Sequence, residues 1–199
     1  MTAQNSLTYT YLDTSALMRL AESRSSPCTP RNTAIGQKLD ALFGDSARKF
    51  ACSDVTLVEW HSNITVDWRR SSDPQFDEAW WEAAQAELML RIGQRQIEVL
   101  LMPPKALEQA MALVTVATRD HGRGLRAWDA LHGLIAARWS YEVGQAVELL
   151  TTDADFLGLN EVPGMSLTVS VVNLDILVQT GEGADAPGKA TSTQGKTSK

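Results

Sequence analysis

The amino-acid sequence predicts an α/β fold built around a central, mainly parallel sheet. Short segments rich in Val, Leu, Thr and Tyr alternate along the chain with longer segments whose apolar residues have helical spacing. Such alternation is typical of parallel strands that are joined by helices. The length of 199 residues, with 44% hydrophobic residues, is enough for one domain with its own core.

The first half of the chain is predicted to begin with a strand. LTYTYLD alternates in polarity and indicates a strand that ends near Asp13, followed by a turn and a helix. Residues 23–33 have the composition of a loop, and the helix that follows them ends at Gly44. FACSD indicates a second short strand, after which Ser53 or Asp54 is the candidate N-cap of a third helix.

The second half repeats this pattern with longer helices. Residues 69–78 interrupt the helical spacing, which resumes in AWWEAAQAELMLRIG and ends before the short strand IEVLLM. Pro104 suits the first turn of the next helix, and RDHGRG, residues 119–124, is a polar, basic loop after it. Another helix ends before Gly144, and AVELLTT and SLTVSVVNL are the last two predicted strands.

The composition excludes several classes of protein. No run of about 18 apolar residues indicates a transmembrane helix, and the N-terminus lacks a signal core, so we expect a cytoplasmic enzyme. Cys28 and Cys52 have no CxxC spacing, which argues against a cysteine zinc site. The net charge of -6 is unusual for a nucleic-acid binder. A phosphate backbone would have to be bound by a local basic patch or through bound cations.

The C-terminal residues 181–199 differ from the rest of the chain. This segment is rich in Gly, Ser, Thr and Lys and has no large apolar residue. Because such a segment cannot bury enough apolar surface to order itself, we predict a disordered tail. Residues 1–180 are predicted to form the folded domain.

Acidic residues occur where a parallel-sheet protein would carry functional groups. Asp13 follows the first predicted strand, Asp153 and Asp155 follow another, and Glu59 and Asp129 lie near the starts of helices. Taken singly, each acid is also explained as a helix cap, a turn former or a solvated charge. Together they would repel one another, and a divalent cation such as Mg²⁺ or Mn²⁺ would relieve that repulsion.

Four segments that contain these acids resemble one protein family. YLDTSAL, SDVTLVEW, WDALHGLIAA and LLTTDADF occur in this order and resemble the PIN-domain family, most closely the VapC-type toxin ribonucleases of bacterial toxin–antitoxin pairs. The resemblance covers roughly residues 7–175. It implies a PIN-like three-layer α/β/α sandwich and metal-dependent endoribonuclease activity with Mg²⁺ or Mn²⁺.

The resemblance also implies which residues form the site. Asp13, Glu59, Asp129 and Asp153 match the four catalytic acids in order, and Asp13, Asp129 and Asp153 would bind the metal. Asp155 falls where some members of the family have a further metal-binding acid.

Three further positions follow from the same match. Ser15 matches a hydroxyl that supports the metal ligands, and Thr152 would do likewise, although a strand-end threonine also explains it. His132 follows Asp129 by three residues, and we expect it to be structural, with a general base as the alternative. The span of residues 61–95 is long for the smaller toxins and is interpreted as a helical insert.

Basic and aromatic residues near the third acid are candidates for RNA contacts. Arg119, Arg123 and Arg126 precede the Asp129 helix and would position RNA phosphates, with a solvated loop as the alternative. Trp128 is interpreted as a packing residue rather than a base-stacking platform.

The resemblance implies two partners besides a metal ion. These are an RNA substrate and a small antitoxin protein that covers the acidic site, and the chain is expected to form a homodimer or a hetero-oligomer. Two alternatives remain open at this point. One is a non-catalytic PIN-fold protein that acts as an RNA-binding or assembly module, and the other is a phosphatase-like hydrolase of small phosphates.

Overall fold

A five-stranded sheet forms the centre of the computed structural model, which describes residues 7–26, 28–121, 125–162, 165 and 168–182. The strand order is β3-β2-β1-β4-β5, and every neighbouring pair is parallel. This confirms the predicted α/β class with a parallel sheet. The strands are β1 (Thr8–Leu12), β2 (Arg48–Ser53), β3 (Ile97–Leu100), β4 (Val147–Thr151) and β5 (Val169–Asn173).

Helices connect the strands as the sequence pattern indicates, except that residues 30–33 and 119–121, which were predicted as loop, lie in helices. They are α1 (Thr14–Glu22), α2 (Pro30–Phe43), α3 (Asp54–Arg70), α4 (Glu78–Gly93), α5 (Ala106–His121) and α6 (Ala127–Val143). A 3-10 helix (Ala154–Glu161) follows β4, and α7 (Leu174–Glu182) follows β5. Ser53 caps α3, as predicted, and forms a reciprocal capping box with Thr56. Gly144 ends α6 with φ 72°, a left-handed conformation that favours glycine.

Apolar side chains pack on both faces of the sheet and produce three layers. Successive strand residues point to opposite faces, so Tyr11 belongs to one core cluster and Leu12 to the other. Helices α5 and α6 and the 3-10 helix contribute to the Tyr11 cluster. Helices α1 to α4 and α7 contribute to the Leu12 cluster. Burial on both faces explains why adjacent strand residues such as Leu149 and Leu150 are both apolar and buried.

The strand order brings two distant parts of the chain to one edge of the sheet. The chain passes from β1 to β2 and β3 on one side and then returns to β4 on the other side of β1. Leu12 pairs with Leu150, and the Asp13 amide donates to the carbonyl of Leu150 over 3.2 Å. Asp13 and Asp153 therefore follow adjacent strands at the carboxyl edge, where parallel sheets carry their sites.

The region interpreted as an insert, residues 61–95, contains the end of α3 and all of α4. The Trp80 indole donates a hydrogen bond to the carbonyl of Ala21 over 2.9 Å. The rings of Trp68 and Trp81 stack with their centroids 4.6 Å apart. These contacts anchor α4 to α1 and α3, so this region belongs to the Leu12 cluster.

The C-terminal part of the structure differs from the prediction. Helix α7 was not anticipated, and it extends into the first two residues of the predicted tail. Residues 183–199 lie outside the described ranges, so the disordered tail stays a prediction. Within the described part of the chain, no helix has the length and apolar character needed to cross a membrane. Cys28 and Cys52 are both free thiols.

Candidate functional site

One cleft at the carboxyl edge of the sheet collects the four acids that match the family pattern. The cleft has a volume of about 390 Å³, and Asp13, Glu59, Asp129 and Asp153 all line it. They come from β1, α3, α6 and β4 or from the residues that directly follow these elements. The spacing of the acids in the sequence did not show that they converge. They converge because the parallel strand order places β1 beside β4.

Asp13 is the most deeply buried of these acids and caps helix α1. Its carboxylate accepts hydrogen bonds from the Ala16 amide over 2.8 Å, the Ser15 hydroxyl over 2.9 Å and the Thr151 hydroxyl over 2.8 Å. Burial raises the pKa of Asp13 to about 6, against these hydrogen bonds and the nearby His132, which favour the ionised form. The carboxylate is thus fixed by neutral donors, and no ion pair to it is formed among the described residues.

Two hydroxyl groups support Asp13, and only one of them was anticipated. Ser15 binds Asp13 as the family match implied, and its oxygen also accepts the Thr152 amide over 2.8 Å. The second hydroxyl belongs to Thr151, the last residue of β4, whereas Thr152 lines the cleft and contributes its backbone amide. Thr151 ends the strand next to β1, and its side chain rather than that of Thr152 therefore reaches Asp13.

Glu59 lies on α3, across the cleft from Asp13, and is partly exposed. Its Oε2 atom accepts a short hydrogen bond from the Thr14 hydroxyl and lies 3.1 Å from Nε2 of His132. The hydrogen bond with His132 is the main reason that the pKa of Glu59 lies below its usual range. Glu59 is therefore ionised at neutral pH.

His132 is buried and connects Glu59 to the interior. Its Nδ1 atom lies 3.0 Å from the Tyr11 hydroxyl, which in turn lies 2.9 Å from the hydroxyls of Ser53 and Thr56. The sequence predicted a structural role for His132 and did not connect it with Glu59. The spacing from Asp129 carried the only signal, since residues three apart on a helix share a side.

The remaining acids form a compact group around the side chain of an arginine. Ligand oxygens of Asp129, Asp153 and Asp155 all lie within 4.8 Å of one another. The Arg126 guanidinium contacts Asp129 through Nε over 3.1 Å, forms a short ion pair with Asp153, and lies 3.7 Å from Asp155. Burial raises the pKa of Asp129 even though Arg126 opposes this effect. Asp129 also lies in the first turn of α6, where the helix dipole favours a negative charge.

Several solved structures share this architecture. VapBC2 from Rickettsia felis, bound to a DNA fragment from its promoter, is 15% identical with a TM-score of 0.51, over 82% of this chain and 98% of that chain. PAE2754 from Pyrobaculum aerophilum is 20% identical with a TM-score of 0.52, over 91% and 98%. FitAB bound to a DNA fragment is 17% identical with a TM-score of 0.54, over 83% and 94%.

The chain has the PIN-domain fold. The fold that the four sequence segments implied is thereby confirmed. No protein-family model matches the chain, and no curated protein matches its sequence. The fold rests on the structural similarity to these proteins, which are 15% to 20% identical to this chain.

The acidic group of this PIN fold suits a divalent ion. Its donors are carboxylate oxygens, which Mg²⁺ and Mn²⁺ prefer, and their mutual distances of at most 4.8 Å are close to those of ligands around one ion. A guanidinium already lies among them, so the group attracts positive charge. Asp13 lines the same cleft but lies outside this compact group. Its assignment as a metal ligand stays a prediction.

The structure distinguishes the three arginines predicted to contact RNA. Arg126 lines the cleft. Arg119 is exposed on α5 and is not among the described residues that line the cleft, and Arg123 lies outside the described residues. Trp128 is exposed and also lines the cleft, so its interpretation as a packing residue is wrong. As the second residue of α6, it lies where the helix emerges beside the acids rather than in a core.

Proposed function

We propose that this protein is a metal-dependent endoribonuclease and the toxin of a toxin–antitoxin pair. One observation carries the proposal. Four acids from separate parts of the chain meet in a single cleft at the carboxyl edge of a PIN fold. A scaffold protein has no use for such a concentration of charge, because the acids repel one another and burial raises the pKa of Asp13 and Asp129.

Each acid has a role that its surroundings favour. Asp129, Asp153 and Asp155, together with Asp13, would hold Mg²⁺ or Mn²⁺. When bound, the ion would supply an activated water and neutralise charge on the phosphodiester. Glu59 is ionised and can accept the proton of the attacking water at Oε1. Ser15 and Thr151 keep the Asp13 carboxylate in one orientation.

RNA binding has to overcome the net charge of -6. Arg126 is 62% exposed and lies at the cleft, where it can exchange its carboxylate partners for an RNA phosphate once a metal ion neutralises the acids. Arg119 and Arg123 complete the proposed phosphate-binding segment. Trp128 offers an exposed ring beside the same cleft, where an unpaired base could stack on it.

The proposed protein partner is a small antitoxin. VapBC2 and FitAB, which share the fold, are complexes bound to DNA fragments. In this chain, exposed apolar side chains surround a second cavity of about 500 Å³ next to the acids, including Val58, Leu107 and Trp128. A partner that covered this surface would also cover the cleft, and self-association through it is expected as well.

Cleavage assays on purified protein test the proposal. The wild type should cut single-stranded RNA with Mg²⁺ or Mn²⁺, stop in EDTA, and leave 5′-phosphate and 3′-hydroxyl ends. Asp129→Asn should be inactive, whereas the matched control Glu82→Gln, at an exposed acid of α4, should keep full activity. Equal cutting in EDTA would refute the metal mechanism. Binding of RNA without any cutting would favour the non-catalytic RNA-binding alternative.

A further inference from the structure

We infer that His132 is the positioning residue of Glu59, fixing its carboxylate from inside the fold so that only one oxygen stays available to the reaction. The inference rests on the proposed function, since it assigns a partner to one of the proposed catalytic acids. His132 lines the cleft but is only 2% exposed, and its Nε2 atom faces Oε2 of Glu59 over 3.1 Å, so its effect is expected to act through Glu59.

The hydrogen bonds fix the direction of the contact. Glu59 is ionised, and an ionised carboxylate only accepts hydrogen bonds, so Nε2 of His132 must carry the proton between them. On the other side of the ring, Nδ1 faces the hydroxyl of Tyr11 over 3.0 Å. A flip of the ring would place carbon atoms at both positions, so the network selects one orientation.

Three elements of the core hold the ring in place. Tyr11 lies on β1 and is fully buried, and its hydroxyl is held by Ser53 at the end of β2 and Thr56 in the first turn of α3. The imidazole is therefore attached to the central strands of the sheet. Glu59 lies one turn after Thr56, so the same network holds the helix and the carboxylate that it carries.

Glu59 needs this support because its own surroundings are open. Its side chain is 34% exposed, and a flexible side chain at such a position samples several rotamers. Both hydrogen bonds, from Thr14 and His132, end on Oε2. Among the described residues, none forms a hydrogen bond with Oε1, which leaves that atom free to accept a proton in the cleft.

Two substitutions separate positioning from packing. In His132→Gln the side-chain amide nitrogen can occupy the place of Nε2, so the variant keeps the donor to Glu59 but has no partner for Tyr11. In His132→Asn the shorter amide can reach Tyr11 in place of Nδ1, but it cannot donate to Glu59. Both variants remove the ring that packs against Phe156, with a centroid distance of 6.3 Å, so they weaken the packing to a similar extent.

The first measurement is steady-state RNA cleavage by the wild type and both variants, with thermal unfolding as a check of the fold. We expect His132→Asn to lower kcat about 100-fold with little change in KM, because a misplaced catalytic group costs about this much. His132→Gln should restore kcat to within about 5-fold of the wild type. Equal decreases in both variants, or full activity in both, would overturn the positioning role.

The second measurement does not depend on cleavage, so it separates this inference from the proposed function. Nitrogen NMR of protein with ¹⁵N-labelled histidine identifies the His132 ring as the signal that disappears in His132→Gln. Nε2 should be protonated, and its signal should shift in Glu59→Gln, even if the wild type cuts no RNA. An unprotonated Nε2, or no response to Glu59→Gln, would overturn the inference.

Discussion

The two halves of the acidic cleft hold their carboxylates by different means. In the inner half, Asp13 and Glu59 are held by hydroxyls, a backbone amide and an imidazole that belong to the core. In the outer half, Asp153 and Asp155 are more exposed, and together with Asp129 they share the guanidinium of Arg126. Directional hydrogen bonds fix the carboxylates of the inner half, whereas the positive charge of Arg126 offsets the carboxylates of the outer half.

This difference indicates that the two halves have different functions. Directional hydrogen bonds set the orientation of a carboxylate, which suits groups that must point at a reacting atom. An exposed arginine cancels charge but can move away, so the outer half can exchange it for a metal ion. The following predictions test whether the halves differ in this way.

The largest expected effect is the removal of a carboxylate from either half. Asp13→Asn, Glu59→Gln, Asp129→Asn and Asp153→Asn should each lower RNA cleavage more than about 100-fold, because even supporting residues of metal sites cost about 10- to 100-fold. Mn²⁺ calorimetry should separate Glu59 from the metal-binding acids. Asp129→Asn and Asp153→Asn should abolish binding, whereas Glu59→Gln should leave the affinity nearly unchanged. Full cleavage by two of these variants would show that the acids do not act together.

A smaller effect should appear in the stability of the metal-free protein. In the fold the pKa of Asp13 is raised from 3.8 to about 6, so the folded state binds more protons than the unfolded chain between these values. The free energy of unfolding therefore falls as the pH rises through this window. At pH 7.5 in EDTA, Asp13→Asn should be about 1–3 kcal/mol more stable than the wild type.

The pH dependence of this gain provides its control. Denaturant unfolding of both proteins should give the full difference above pH 6 and a vanishing one near pH 4. Glu59→Gln should show no gain at neutral pH, because hydrogen bonding lowers the pKa of Glu59 instead of raising it. A lower stability of Asp13→Asn at every pH would mean that the hydrogen bonds of Asp13 outweigh its burial.

The role of Arg126 in the outer half can be tested by removing its side chain. Arg126→Ala should bind Mn²⁺ about 5-fold more tightly than the wild type, since an exposed ion pair is worth up to about 1 kcal/mol and the ion no longer competes with it. Calorimetry measures this, and Arg138→Ala is the matched control because Arg138 pairs with Glu142 and does not line the cleft. Weaker Mn²⁺ binding in Arg126→Ala would mean that the arginine assists the metal ion.

The smallest expected effect is on the salt dependence of RNA binding. In a cleavage-dead Asp13→Asn protein, changing Arg119, Arg123 and Arg126 to Ala should reduce the slope of log affinity against log salt by roughly 0.7 for each phosphate that the protein no longer binds. The same measurement on a variant with Arg69 and Arg70 changed to Ala is the control. Identical slopes with and without the three changes would place the RNA elsewhere on the surface.

Local sequence patterns predicted the strands that position the site better than the hydrogen bonds within it. Alternating periodicity located the strands, and the strand ends at Asp13 and Asp153 implied one edge of a parallel sheet. The support of Asp13 by Thr151, and the contact of Glu59 with His132, join residues that are 138 and 73 positions apart. No local pattern encodes such pairs, because the strand order and the helix packing that create them are properties of the whole fold.

The ion pairs of the site were likewise not predictable from local sequence. The arginines before α6 were recognisable as a basic cluster, but the sequence did not indicate that Arg126 would lie among Asp129, Asp153 and Asp155.

Helix α7 was missed because the apolar residues on both sides of Asn173 were interpreted as a strand. The signal was Asn173 itself, whose side chain accepts hydrogen bonds from the amides of Asp175 and Ile176 at the start of the helix.

The most direct test of the proposed metal centre is the anomalous scattering of Mn²⁺ in crystals of the wild-type protein. We predict a peak between the carboxylates of Asp129 and Asp153, with the Arg126 guanidinium displaced from both and the hydrogen bonds of Asp13 and Glu59 unchanged. Crystals of Asp153→Asn, grown and soaked in the same way, should lack the peak. A wild-type cleft without manganese, in which Arg126 still contacts the acids at saturating Mn²⁺, would contradict the proposed metal centre.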